Sequence, residues 1–207
     1  ASGTATITIA QANATVSGGA FVYDGTAHGA IATGVLGESL SGLVSGTRTN
    51  VGSSTVSWTF TDITGNYLNS TGTATIDIVA KDITGNFTVA NKTYDGTTGA
   101  TIVTQPLTGI VAGDIVTLTG GTATFDTKDV GTGKIVTLNG ASLTGADALN
   151  YNLLSVNTAT ASITAKGVTG SFTAVSKIYD ATTATTVLNR ALTGVLAGDV
   201  GSVSLTG

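Results

Sequence analysis

The side chains that could do chemistry in this 207-residue chain are few, and they recur. Tyr-Asp pairs occur at Tyr23-Asp24 in "FVYDGTAHGAI", at Tyr94-Asp95 in "NKTYDGTTGATI" and at Tyr179-Asp180 in "SKIYDATTATTV". A catalytic pair is rarely needed three times in one chain, whereas a structural corner often is. In the structural reading the Tyr ring packs on a sheet edge, and the Asp carboxylate accepts backbone N–H groups across the following turn. Tyr67 and Tyr151, each preceded by Asn, form a second set of corners in "GNYLNS" and "LNYNLL". A sugar-binding aromatic is the alternative, and isolated tyrosines lack the neighbouring aromatics and polar cluster that such a site wants.

The remaining candidates are sparser. His28, the single histidine, has no Cys, no second His and no nearby carboxylate except Asp24, so neither a metal set nor a serine-nucleophile elbow can be built on it. A solvated loop histidine is expected. Asp82, Asp114 and Asp199 are the best-placed calcium ligands, but no D-x-D-x-D-G loop occurs, and no metal or cofactor is expected. Lys92 and Lys177 each lie two residues before a Tyr; a stem lying over an apolar edge explains that spacing, with a Lys-Asn cross-link as the alternative. The N-x-[ST] sequons at Asn13, Asn69, Asn86 and Asn91 are what a chain this rich in Thr and Asn produces by chance.

The elements that must position these residues are strands. Thr, Val, Ile and 29 Gly dominate, charged residues make up 10%, and no apolar period of helical spacing is sustained. In "STVSWTFTDI" the residues Val56, Trp58 and Phe60 alternate with Ser57 and Thr59, as on a strand with one buried and one wet face, which makes Trp58 a core marker. Ile76 and Ile78 point inward around Asp77, and Phe125 does the same in "TATFDTK". The net charge of −4 and only eight basic residues leave no patch for displacing counterions from nucleic acid. No apolar run reaches the roughly 18 residues of a membrane-spanning helix. Cys and Met are both absent, so there are no disulfides, and with no Met at position 1 the chain reads as a processed product or an excised piece.

Residues 83–114 and 168–199 align without a gap, and half the positions are identical. Closing strands recur as "GTATITIAQA", "GTATIDIVAK" and "TATASITAKG". The resulting register is the closing strand of a preceding unit at 1–10, a repeat at 11–80, a second at 81–165 and a truncated third at 166–207. The third holds the Tyr-Asp corner but nothing matching Thr122–Ala165, so Ile178, Leu192 and Val203 are expected to lack a facing sheet. Ala181 replaces Gly96 there, which implies a turn that does not demand positive φ. The fold expected is all-β: tandem antiparallel β-sandwich repeats of Ig-like strand density, with a β-grasp-like unit as the alternative because "LTGIVAGDI" and "LTGVLAGDV" could each form a helical turn.

"VYDGTAHGAIATGVLG" resembles the MBG repeats of bacterial surface proteins, and "KTYDGTTGATI…LTGIVAGDIVTL" resembles the YDG repeats that accompany them. The resemblance implies filamentous-haemagglutinin-like adhesins and biofilm-matrix proteins, secreted or on the bacterial surface, in which such repeats act as stalks. The expectation is a non-enzymatic spacer array whose partners are neighbouring repeats of the same polypeptide. A self-assembling fibre subunit, meeting other copies of itself, and a module that binds polysaccharide or a cell-surface receptor are the rival readings.

Overall fold

The computed structural model describes residues 8–41 and 46–206. Most of the closing strand expected at 1–10 lies outside these residues, and Thr8–Ala10 are irregular. The described chain is all-β, with several small sheets and no α-helix; "LTGVLAGD" ends in a short 3₁₀ turn, Ala197–Asp199. "LTGIVAGD" forms a turn closed by the Asp114 N–H on the Val111 carbonyl, 3.2 Å, so neither loop is the helix that a β-grasp unit would need.

Compactness divides the chain into two units. Unit 1 runs through Thr84 and takes in Leu107–Thr117 and Leu143–Ser155; unit 2 comprises Gly85–Pro106, Leu118–Ser142 and the chain from Val156 onward. Unit 1 therefore combines the first repeat with three segments of the second, whose strands Lys81–Gly85, Leu107–Thr108 and Tyr151–Val156 form one sheet.

In unit 1 the strand Ser70–Val79 is central, antiparallel to Gly52–Phe60 and parallel to Gly19–Val22. Alternation buries Phe60 and puts Ile76 and Ile78 into a core cluster with Ala74, Ile83, Val116, Tyr23 and Tyr151. Trp58 lies on that same face and packs against the cluster. Its cross-strand partner is Gly72, where an added Cβ would come within 2.6 Å of the indole, so the missing side chain is what lets the ring lie flat on the sheet.

Unit 2 repeats the plan. Its main sheet runs in the order Lys92–Thr93, Ala159–Thr164, Gly131–Thr144, Thr117–Phe125, over a core of Phe87, Ala123, Phe125, Val136, Ala161 and Ile163. Here too one pair is parallel, Lys92–Thr93 with Ala159–Thr164. Purely antiparallel sheets are thus corrected in both units. The strand before each Tyr-Asp corner joins the closing strand of its repeat only after a long crossover, and such a connection permits parallel pairing. The ladder continues into the corner: the Tyr23 N–H donates to the Val79 carbonyl at 2.9 Å, and the Tyr94 N–H to the Thr164 carbonyl at 2.8 Å.

After Lys166 the chain forms one hairpin, Thr169–Ala174 with Val187–Thr193. Phe172 and Ile178 are exposed beside it, Ile178 at 91%.

Candidate functional site

The Asp-to-Thr turn of the corner recurs three times. Asp24 Oδ1 accepts the Thr26 N–H at 2.8 Å and the Thr26 hydroxyl at 2.7 Å. Asp95 takes both donors of Thr97 at 2.9 Å, and Asp180 those of Thr182 at 3.0 and 2.9 Å. The motif is therefore Y-D-x-T, and the Thr was legible as a recurrence but unused. Between Asp and Thr the backbone is left-handed each time: φ is 80° at Gly25, 77° at Gly96 and 60° at Ala181. This corrects the expectation drawn from Ala181. The turn does demand positive φ, and Ala181 adopts it at a steric cost of about 1–2 kcal/mol.

A nitrogen-bearing side chain clamps each turn, a lysine at the second and third corners. Lys92 Nζ donates to Asp95 Oδ1 at 2.9 Å and to the carbonyls of Thr97 and Gly99 at 2.8 and 2.9 Å, while lying 5.5 Å above the Phe125 ring. Lys177 repeats the bond to Asp180 at 2.7 Å. The lysines thus close the Asx-turns. The first corner has Phe21 at the lysine position, and His28 supplies the partner instead: its ring stacks on Phe21 at 4.4 Å, and its Nε2 lies 2.9 Å from Asp24 Oδ1. His28 is half-buried in a short strand, not a solvated loop residue, because Phe21 offers it an apolar face. The Lys92 bond and the Thr97 donors hold the Asp95 carboxyl at about 2; the Thr26 donors, then His28, do the same for Asp24. Asp180 is also lowered, first by Lys177.

The tyrosine hydroxyls reach further along the chain. Tyr23, from the first repeat, donates to Asp114 Oδ2 in the "LTGIVAGD" loop of the second, at 2.9 Å. Tyr151 donates to the same oxygen at 2.5 Å, accepts the Val111 N–H at 2.9 Å, and meets the Tyr23 ring edge-on at 5.5 Å. Beside it the buried Asn150 accepts the Val51 N–H at 3.1 Å. Burial pushes the Tyr151 phenol up to about 12, and the Asp114 carboxylate adds to this; burial and then Asp114 raise Tyr23 as well. Gly25 completes the contact, since a Cβ there would come within 2.8 Å of Val111.

Unit 2 carries the counterpart. Tyr94, of the second repeat, donates to Asp199 Oδ1 in "LTGVLAGD" at 3.3 Å, and Gly96 faces Leu196 as Gly25 faces Val111. Lys128 Nζ donates to the Tyr94 hydroxyl at 3.0 Å and lies 5.3 Å from the ring centroid, and this bond raises the Lys128 pKa. Tyr67 donates to Glu38 and packs edge-on against Phe60. Tyr179 is 89% exposed. Tyr23, Tyr67, Tyr94 and Tyr151 thus each reach an acid of a "TG"-headed loop, and Tyr179 does not.

Of the calcium candidates, Asp82 accepts from Asn152 at 2.8 Å, and Asp114 and Asp199 face phenols. Among the described residues no three His, Cys, Asp or Glu side chains gather into a metal-ligand set. What this arrangement does chemically is tie segments distant in sequence together, within each unit, through a carboxylate that accepts phenols.

Residues 79–161 match the family model of the YDG domain. The match holds the second Tyr-Asp corner, the loop that ends in Asp114, and Tyr151. The matched segment thus contains both Asp114 and Tyr151 of the unit 1 cluster, and Tyr94 of the unit 2 pair. No curated protein and no solved structure matches the chain.

Proposed function

We propose that this chain is a length of non-enzymatic stalk, an array of repeats that spaces an adhesive or matrix-forming part of a large secreted or surface protein of a bacterium. The observation that carries this reading is the hand-over of two of the three corner tyrosines to an acid of the following repeat, Tyr23 to Asp114 and Tyr94 to Asp199. Such a bond stabilises the array only when neighbouring repeats are in place, which is how nearest-neighbour terms give a repeat protein its stiffness. Thr-rich outer faces and a low charge density suit a solvated spacer. The MBG-like character of residues 11–80 belongs to the same proposal.

The test is to pull the 207-residue chain by its ends in single-molecule force spectroscopy and to compare it with the Asp114→Ala variant. A stalk joint predicts a drop in the force of the event assigned to unit 1, with no saturable ligand on a glycan array. Unchanged mechanics in the folded variant, or a glycan bound at the corners, would overturn it. The open hairpin at Thr169–Ala174, with Phe172 exposed, favours a second reading as a fibre subunit, which negative-stain microscopy of concentrated protein would reveal as filaments.

A further inference from the structure

Asp114 receives two phenols, whereas Asp199 receives one. Beside Tyr94 and Asp199 lies a cavity of about 210 Å³ walled by Val130, Val168, Leu196 and Val203. In sequence these correspond to the surroundings of Tyr151: Val130 to Val51, Val168 to Ile83, Leu196 to Val111, Asp199 to Asp114 and Tyr94 to Tyr23. Tyr151 sits in that setting with its ring in the cluster that holds Tyr23 and Ile83, its hydroxyl between Asp114 and the Val111 N–H, and Asn150 on the Val51 N–H. The receptor for an Asn-Tyr pair is thus present a second time. The chain's own two Asn-Tyr pairs are engaged elsewhere, Tyr67 at Glu38 and Tyr151 at Asp114.

We infer that the cavity beside Tyr94 and Asp199 is a socket for the tyrosine of a strand of the "LNYNLLSV" type. The incoming phenol donates to Asp199 and accepts the Leu196 N–H, and the Asn amide oxygen takes the Val130 N–H. The wall argues for this occupant over a sugar, because its charged side chains are only Asp199 and Lys166 amid valines and a leucine, which suits a single hydroxyl on an apolar ring, and a glycan would leave most of its hydroxyls unpaired. Val130, Val168 and Val203 are 55, 47 and 41% exposed, which is apolar surface that such a strand would cover. Lys128 donates to Tyr94 and lies near enough to Asp199 to feel its charge, but it does not line the cavity. The inference rests on the reading of Tyr94–Asp199 as a joint between repeats.

The experiment titrates the isotope-labelled 207-residue chain with a synthetic peptide of residues 147–156, "DALNYNLLSV", and follows backbone amides. Saturable shifts at Val130, Leu196 and Val203 are expected, weakened at least about tenfold when the peptide carries Tyr151→Ala or the chain carries Asp199→Ala, as for loss of a central aromatic anchor. Tyr151→Phe in the peptide should fall between. No saturable shift up to about a millimolar, binding too weak to matter for a joint, would overturn the socket. So would equal binding of the Tyr151→Ala peptide, or shifts at Val51 and Val111, which would mean exchange with the resident strand. The joint itself is tested separately by the pulling comparison with Asp114→Ala, so either idea can fail alone.

Discussion

Set side by side, the two joints use the same corner and differ in what completes it. In unit 1 the phenols of Tyr23 and Tyr151 converge on Asp114 Oδ2, and both rings are buried within one core. In unit 2 Tyr94 is half-buried, its bond to Asp199 is longer, and an ammonium, Lys128, approaches the phenol where the first repeat has Thr49. Three acids therefore show three occupancies: Glu38 holds the tyrosine of its own repeat, Asp199 that of the preceding repeat, and Asp114 holds both. The loop acid reads as a two-tyrosine acceptor. Its strength should depend on how many of the two are present, because the second ring removes the first from water and shortens the electrostatic path to the carboxylate.

The largest test of that dependence is truncation. Tyr151→Ala should cost unit 1 about 3–5 kcal/mol, as for other buried aromatics, read as a lower urea midpoint in the transition of that unit. Tyr94→Ala, removing a half-buried ring, should cost unit 2 about half as much on the same scale. Equal costs would break the comparison and mean that the second phenol contributes nothing.

Alkali should separate the joints next. The Tyr151 phenol, held up to about 12, and the raised Tyr23 are protonated in the folded state beyond the pH at which an unfolded tyrosine ionises. A raised pKa contributes stability in full below the unfolded value, near 10, and loses it as pH climbs through the folded one. The melting temperature of unit 1 should therefore fall between about pH 10 and 12, and in Tyr151→Phe that fall should shrink to what Tyr23 supplies. A phenolate absorbance change complete before the melting temperature moves would refute the link.

Much of the fold was legible because alternation is a local signal. Val56, Trp58 and Phe60, then Ile76 and Ile78, face the core on residue types alone, and the Asx-turns follow from Asp before Gly. The parallel pairing of Gly19–Val22 with Ser70–Val79 was not legible, since a crossover of dozens of residues leaves no trace in either strand. The joints were half legible. Asp114 and Asp199 stand out in the sequence as matched acids, but nothing within ten residues of either announces a phenol from another repeat. His28 was misread for the same reason, its stacking partner being cross-loop Phe21.

A smaller effect lies in the third corner. Ala181 holds φ at 60°, where Gly25 and Gly96 sit at 80° and 77°. Ala181→Gly should relieve about 1 kcal/mol of left-handed strain, less the extra entropy of glycine in the unfolded chain. Slower amide exchange at Thr182, whose N–H is held by Asp180, would register it; faster exchange would mean that the entropy term wins.

The smallest effect isolates the clamp from the joint. Asp95 is held at about 2, first by the Lys92 ammonium and then by Thr97, while Asp24 reaches about the same value with Thr26 first and His28 behind. Since the folded pKa is depressed, the contribution of each turn is present above the ordinary carboxyl value of 3.8 and is lost as pH falls through about 2. Lys92→Gln removes the leading cause at the second corner, so carboxyl-carbon NMR should show Asp95 titrating closer to 3.8. His28→Gln should move Asp24 less, because the two Thr26 donors remain. Both carboxylates are open to solvent, where ion pairs are screened and change stability little, so the global melting temperature should barely respond to either substitution. If Lys92→Gln instead lowered the unit 2 transition as far as Tyr94→Ala does, the turn and the joint would be one cooperative device, and the two-tyrosine account of their difference would have to include the clamp.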